Sequence, residues 1–377
     1  MDTKVGPKNA MVLFLNILFW ALSILVLVGT VLPLSKIPHG AVRGMAFLRE
    51  QFFGCAIVFA IVMPLLYPNA LGWGVAAALV VSAAINLIYI FKFTPLWTKQ
   101  SVDATGALRD QSERHVSVLA INVKQSNRAY DRLIKLVRKH DPDMVLAVEV
   151  DNAWVAALKD GLDGVYPHWV EVAKDNSYGM CLMSRLALSQ TEVRELITKS
   201  VPSIRTAVTL RNGDDFRLYV VHPEPPVINH DTVGRDSEIA MIGLEAKQDT
   251  LPAVVAGDLN DVAWSTTTRR FQRLSGLLDP RVGRGFYNTF SATMPWMRWP
   301  LDHLFHAPQF RLLEMARLEK VGSDHFPMWF VLALAKTEAA ASDPGSAHPD
   351  EKHEVRQIAS KERDRPREAI GTDWEKD

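Results

Sequence analysis

An α+β fold is predicted: three transmembrane helices, then a domain of two packed β-sheets flanked by helices. Three observations predict it. Charge is segregated, because residues 10–35 and 51–91 contain no charged side chain, while almost all of the 42 Lys plus Arg and 42 Asp plus Glu lie beyond residue 91. The apolar stretches are long enough to cross a hydrocarbon core, which takes about 20 residues of helix. Beyond them, strand-like segments come in runs with helices between only some of them, the pattern of packed sheets rather than of a strictly alternating α/β fold.

The first span reads over 10–34, "AMVLFLNILFWALSILVLVGTVLPL". Asn16 and Ser23 are tolerable there because a helix satisfies its own backbone. A secretory signal fits poorly, since the stretch is long and no small-residue cleavage site follows. The 51–91 run breaks at "YPNALGWG" (67–74), which predicts a helical hairpin of about 52–67 and 73–91. Trp20, Tyr67, Trp73, Tyr89 and Trp97 sit where interfacial aromatic belts are expected. The membrane part is thus 1–94. Cys55 falls in a span and Cys181 in a strand, so no disulfide framework reports the redox compartment.

A polar linker is expected over 95–114 and a folded domain over 115–336. Alternation predicts strands at 115–123, 143–150, 168–173, 179–184, 190–198, 203–211 and 215–222, with helices over 127–140, 152–162 and 234–248. "LPAVVAGDLN" reads as a strand running into a turn, and "RRFQR" (269–273) as a helix with a solvated basic face. The segment 337–377 has few large apolar residues and dense mixed charge, which predicts a disordered tail.

Polar residues gather at the strand ends. Asn122 closes one strand, Glu149 another and His222 a third. Asp258 and Asn260 follow "PAVVAG". Asp302 opens "DHLFHA", and Asp324 with His325 precedes "FPMWFVLAL". Singly, each has a structural use as a cap, a turn residue or a packed histidine. Together they converge where a sandwich collects its loops.

The set "IN" (121–122), "VE" (148–149), "SYGMCLMSR" (177–185), "VVH" (220–222), "AGDLND" (256–261), "PLDHLF" (300–305) and "GSDHFP" (322–327) resembles the endonuclease/exonuclease/phosphatase superfamily, with its deoxyribonuclease I-like fold. The resemblance covers essentially all of 115–335. Three spans followed by such a domain is similar to the membrane-bound branch that includes teicoplanin-resistance proteins. The resemblance implies a four-layer αββα sandwich that cleaves phosphate esters with Mg2+, or Mn2+ in its place. It implies that Glu149, Asp324 and Asn122 serve the metal, and that Asn122, Asn260 and His222 contact substrate. His325 with Asp302, together with Asp258, Asn260 and His222, would carry the chemistry. Magnesium suits such a set because it takes hard oxygen ligands and keeps several waters.

The implied partners are membrane lipids and a phosphate-ester substrate; oligomeric state is not legible. Residues 115–336 hold 26 Lys plus Arg against 26 Asp plus Glu, so the basic footprint of duplex nucleic-acid binding is missing. The leading expectation is a membrane-anchored phosphoesterase acting on a lipid-linked or envelope phosphate. A membrane-tethered nuclease and a catalytically silent binding module are the alternatives. Orientation signals conflict. Lys36, Arg43, Arg49, Lys92 and Lys99 lie on the domain's side of the spans and favour a cytoplasmic domain. Lys4 and Lys8 precede the first span, which usually dominates topology. With the resemblance to envelope enzymes, they place the chain in the inner membrane with its domain outside the cytoplasm.

Overall fold

A computed structural model describes residues 7–372; Lys4 and the last residues of the tail lie outside them. The chain forms two compact units: one reaches Ile37 and resumes over Ala41–Phe91, and the other holds Pro38–Gly40 and everything from Lys92.

In the first unit, α1 (Pro7–Val31), α3 (Arg49–Leu66) and α4 (Ala70–Ile90) are the long helices, with the short α2 (Gly40–Gly44) between α1 and α3. The three long ones are each long and apolar enough to cross a membrane. The hairpin turns where expected: Asn69 caps α4, its side chain accepting from Gly72 N at 3.0 Å. The polar residues of these helices pair with one another. Tyr67 donates to Asn16 at 2.8 Å. Asn86 donates to Thr30 Oγ1 at 2.8 Å and accepts from Arg49 Nη1 at 3.1 Å. Pairing of this kind is what polar groups require away from water.

In the second unit, the short α5 (Ala107–Asp110) precedes the strands. Six strands form one sheet in the order β10–β11–β1–β2–β4–β3: β1 His115–Asn122, β2 Met144–Val148, β3 His168–Val172, β4 Met180–Ser184, β10 Phe310–Arg317 and β11 Met328–Leu334. Five form the other in chain order: β5 Ala187–Arg194, β6 Ser203–Thr209, β7 Asp215–Val221, β8 Ala253–Asp258 and β9 Asp302–His306. The helices are α6 (Tyr130–His140), α7 (Asn152–Gly161), α8 (Val233–Gln248), α9 (Thr266–Ser275) and α10 (Pro349–Arg363).

Strand alternation sorts the side chains into layers. Val118, Ala120, Leu146 and Val148 face the second sheet and meet Val208, Leu218, Val220, Val254 and Leu304. Leu119, Ile121, Val145 and Ala147 face the other way, onto Leu133, Leu136, Trp154 and Leu158 of α6 and α7. Ile239, Ile242 and Phe271 of α8 and α9 pack with Val255 and Phe305.

Two parallel pairs place the site. β1 runs parallel to β2 and β7 parallel to β8, so Asn122, Glu149, His222 and Asp258 all emerge at carboxyl ends. β9 and β11 are antiparallel to β8 and β1, so their beginnings arrive at the same edge. Asp258 is in direct register with Asp302. Gly257, at φ 140°, keeps this edge tight: a Cβ there would lie 2.0 Å from Val221 O.

Three expectations are corrected. The fifth strand spans Ala187–Arg194 rather than 190–198, with a register shift between Ser189 and Glu192. An eleventh strand, β10, was not legible, because a bulge between Leu312 and Glu314 interrupts its alternation. The polar stretch over 95–114 is also packed on the domain. Gln100 Oε1 accepts from Gln272 Nε2 at 2.9 Å and from Asp279 N at 2.7 Å, and Ser101 pairs with His306 at 2.7 Å. The tail over Pro349–Arg363 is a helix, not a disordered segment. Glu351 binds Arg273 at 2.7 Å, Glu354 binds Arg270 at 2.9 Å, and Val355 is buried with Ala240 and Leu244 of α8. Dense mixed charge here finds partners on another helix, which composition alone does not reveal.

Candidate functional site

Asn122, the last residue of β1, joins two carboxylates. Its Nδ2 donates to Glu149 Oε1 at 2.6 Å and to Asp258 Oδ2 at 3.0 Å. Its own Oδ1 accepts from Lys124 N at 2.9 Å, which fixes the amide. Glu149 leaves β2 at φ 61°, Lys124 leaves β1 at φ 58°, and Asn260 follows β8 at φ 51°. Left-handed backbone at several non-glycine residues along one edge is the kind of strain that collects at functional sites.

Opposite lies the histidine–aspartate pair. His325 Nδ1 donates to Asp302 Oδ2 at 2.8 Å, and His325 Nε2 stands 3.6 Å from Asp258 Oδ2. Ser323 orients this loop: its hydroxyl donates to Asn122 O at 2.7 Å and accepts from His325 N at 3.0 Å. Phe290 packs on the imidazole with centroids 4.9 Å apart. His222 Nε2 is 3.8 Å from Glu149 Oε1, and its ring lies 5.5 Å from that of Tyr178.

The electrostatics follow from burial and neighbours. Burial raises Glu149 to about 7, against the pull of its Asn122 hydrogen bond. Burial likewise raises Asp258 to about 6, despite the opposing charge of His325. Burial disfavours charge on His325 too, but the Asp302 and Asp258 carboxylates outweigh it and lift the imidazole to about 10. His222 goes the other way, down to about 3, through burial and then the His325 charge. The site therefore pairs one imidazolium with one neutral imidazole.

Among the described residues, ligand atoms of Glu149, His222 and Asp258 lie within 4.8 Å of one another, as do those of Asp258, Asp302 and His325. A divalent cation fits this donor set. The half-buried carboxylate of Glu149 and the buried one of Asp258 share one amide donor, and their oxygens are the hard ligands that magnesium takes. Asp324 stands outside both groups, with Lys124 Nζ 3.2 Å from its Oδ2. Asn260 is beside the site, but its Nδ2 donates to Pro223 O at 2.9 Å while its backbone N–H donates to Asp258 Oδ1 at 2.9 Å.

Sequence reasoning missed Lys124, Ser323, Tyr178 and Phe290. Ser323 and Tyr178 stand inside the strings "GSDHFP" and "SYGMCLMSR", and that was the available signal. Lys124 and Phe290 gave none. His303 points away from the site, as strand alternation requires; its Nε2 donates to Asp261 O at 2.8 Å. Arg205 is held by Asp249 at 3.0 Å.

Residues 119–325 match the family described as Endonuclease/Exonuclease/phosphatase. The chain belongs to that family. Its members hydrolyse phosphate esters with a divalent metal, and the oxygen-rich cluster around Glu149 agrees with that requirement. The fold is similar to that of a humanized D. rerio TDP2, at TM-score 0.50 and 19% identity over 58% of this chain and 99% of that one. An endonuclease/exonuclease/phosphatase from Beutenbergia cavernae gives 0.48 and 19%, over 59% and 72%. A mannosyl-6-phosphatase from Bacteroides thetaiotaomicron gives 0.46 and 18%, over 58% and 100%. No curated protein sequence matches this chain.

Proposed function

We propose that this member of the endonuclease/exonuclease/phosphatase family is a membrane-anchored, Mg2+-dependent phosphoesterase whose substrate ester is carried by a lipid or another envelope component. The observation that carries the reading is the Asp302–His325–Asp258 line facing Glu149 and Asn122, in a chain with three helices able to span a membrane.

Glu149, oriented with Asn122, would hold the metal, and Asp324 would join it on release from Lys124; when bound, the metal neutralises phosphate charge as a Lewis acid. His325, kept cationic by Asp302, stabilises the phosphoryl oxygens. Asp258 orients the attacking water and takes its proton. Asn122 and Asn260 serve the phosphate without repelling it, Asn260 on turning from Pro223. His222 offers the phosphate a neutral hydrogen-bonding face, and the leaving oxygen takes its proton from the His325 imidazolium. Such a set supplies positioning and charge stabilisation, the chief needs of phosphoryl transfer.

Two features favour a lipid-linked ester. The loop before β9 exposes Trp296 (72%) and Met294 (42%), and its base reaches the site through Phe290 on His325. The domain has no net charge to hold long nucleic acid. The test is full-length protein in detergent with magnesium, assayed against phospholipids, polyprenyl phosphates and single- and double-stranded nucleic acid. A lipid phosphate should be turned over best. Glu149→Ala should lose nearly all activity and weaken magnesium binding. Full activity in excess chelator would rule out metal dependence, and preferential cleavage of nucleic acid would make the chain a tethered nuclease.

A further inference from the structure

Beyond α10 the chain runs back along the loop that follows β7, and a buried carboxylate ties it there. Glu224 is 1% exposed and accepts four hydrogen bonds. Arg367 Nη1 and Nη2 donate to its two oxygens at 2.7 Å each, Ile370 N donates at 2.9 Å, and Thr198 Oγ1 donates at 3.0 Å. Three of these four donors belong to the C-terminal segment. Arg367 Nε also donates to Glu362 at 2.7 Å. A two-pronged guanidinium–carboxylate pair fixes direction as well as distance.

The same segment touches the residues beside the candidate site. Ile370 O accepts from the Tyr178 hydroxyl, and Ala369 is buried with Tyr178 and Val201. Tyr178 packs its ring on His222. Glu224 is two residues from His222, so the Arg367 pair also anchors the backbone that presents that imidazole. Gly234 supplies independent support. A Cβ there would lie 2.0 Å from Arg367 Nη2 and 2.4 Å from Glu224 Oε2, so the start of α8 leaves just the room that the pair fills.

We propose that residues 364–372 form one wall of the site, and that Arg367 is a positioning residue that sets Tyr178 and, through it, His222. The consequence for turnover rests on the phosphoesterase reading; the positional claim does not. Loss of the wall frees the Tyr178 hydroxyl and lets the His222 ring wander. Misplacement of a reacting group by about 1 Å costs up to about 100-fold in rate.

The test uses full-length protein and two readouts. Hydrogen exchange should quicken in Arg367→Ala across 174–179 and 222–228 and stay unchanged at 322–326, the His325 side. With magnesium and bis(p-nitrophenyl) phosphate, kcat should fall about 10–100-fold with KM nearly constant. Arg367→Lys should recover only part, because an ammonium cannot reproduce the fork. Tyr178→Phe keeps the ring on His222 and removes only the bond to Ile370. It should show the same exchange pattern in weaker form, and it decides the matter if Arg367→Ala loosens the whole domain. Unchanged exchange around His222 in both variants overturns the proposal. So does a rise in kcat, which would make the segment an inhibitory strap. If the wild type hydrolyses no phosphate ester, the exchange result still decides the positional claim, and the failure belongs to the phosphoesterase reading.

Discussion

Asp302 and His325 are bound at 2.8 Å with both side chains nearly inaccessible, so neither can act alone. The carboxylate fixes which ring nitrogen carries the proton and sustains the cation. His325→Ala and Asp302→Ala should each reduce kcat/KM on the order of 10³-fold, and the double mutant should be little worse than the worse single. Steady-state kinetics on the four proteins measures this, and multiplying defects would argue against a shared role. The adjacent residues of "GSDHFP" diverge in use. His325 turns inward to Asp302 and Asp258, whereas Asp324 meets Lys124.

Between elements, the β6–β7 pair is locked to the chain after α8 by one carboxylate. Asp249 Oδ2 accepts from Arg205 at 3.0 Å, Arg217 Nε at 2.9 Å and the Tyr219 hydroxyl at 3.0 Å. Burial resists its ionisation, but the Leu251 N–H and these donors prevail and hold its pKa below the ordinary value. A carboxylate with a depressed folded pKa contributes stability that is full above its unfolded value, near 4. That contribution is lost as pH falls through the folded value. Asp249→Ala strands the buried Arg217 and should cost about 3 kcal/mol at pH 7. The gap to wild type should narrow at pH 3, below the value of the carboxyl in the unfolded chain. Melting of both proteins at the two pH values checks this, and an equal gap would show that charge is not the cause.

At the scale of the whole molecule, we propose that the three apolar helices cross a membrane and that the domain lies on its extracytoplasmic side. Lys8 stands at the very start of the first apolar helix, against Lys36, Arg43, Arg49, Lys92 and Lys99 toward the domain's side. The proposal therefore relies on the first helix dominating over a bare count. A C-terminal alkaline phosphatase fusion should be active, and a fluorescent fusion that matures only in the cytoplasm should stay dark. The reverse result would place the domain inside and make nucleotides better substrates to test than lipid carriers.

Much of this architecture was written in local patterns. The three apolar helices were legible because spanning a bilayer demands an uncharged run, which no tertiary contact can disguise. The two sheets were legible because strands buried on both faces must be apolar and end abruptly. Asn122, Glu149, His222, Asp258, Asp302 and His325 stood out because each is the first polar residue at such an end. What the sequence could not show is pairing across long separations. Lys124 meets Asp324 over 200 residues, Arg367 meets Glu224 over 143, and Gln100 meets Gln272 over 172. Charged and polar segments that look solvated in isolation become ordered when a distant partner offsets the cost of burying them. Only the folded chain decides which of them find one.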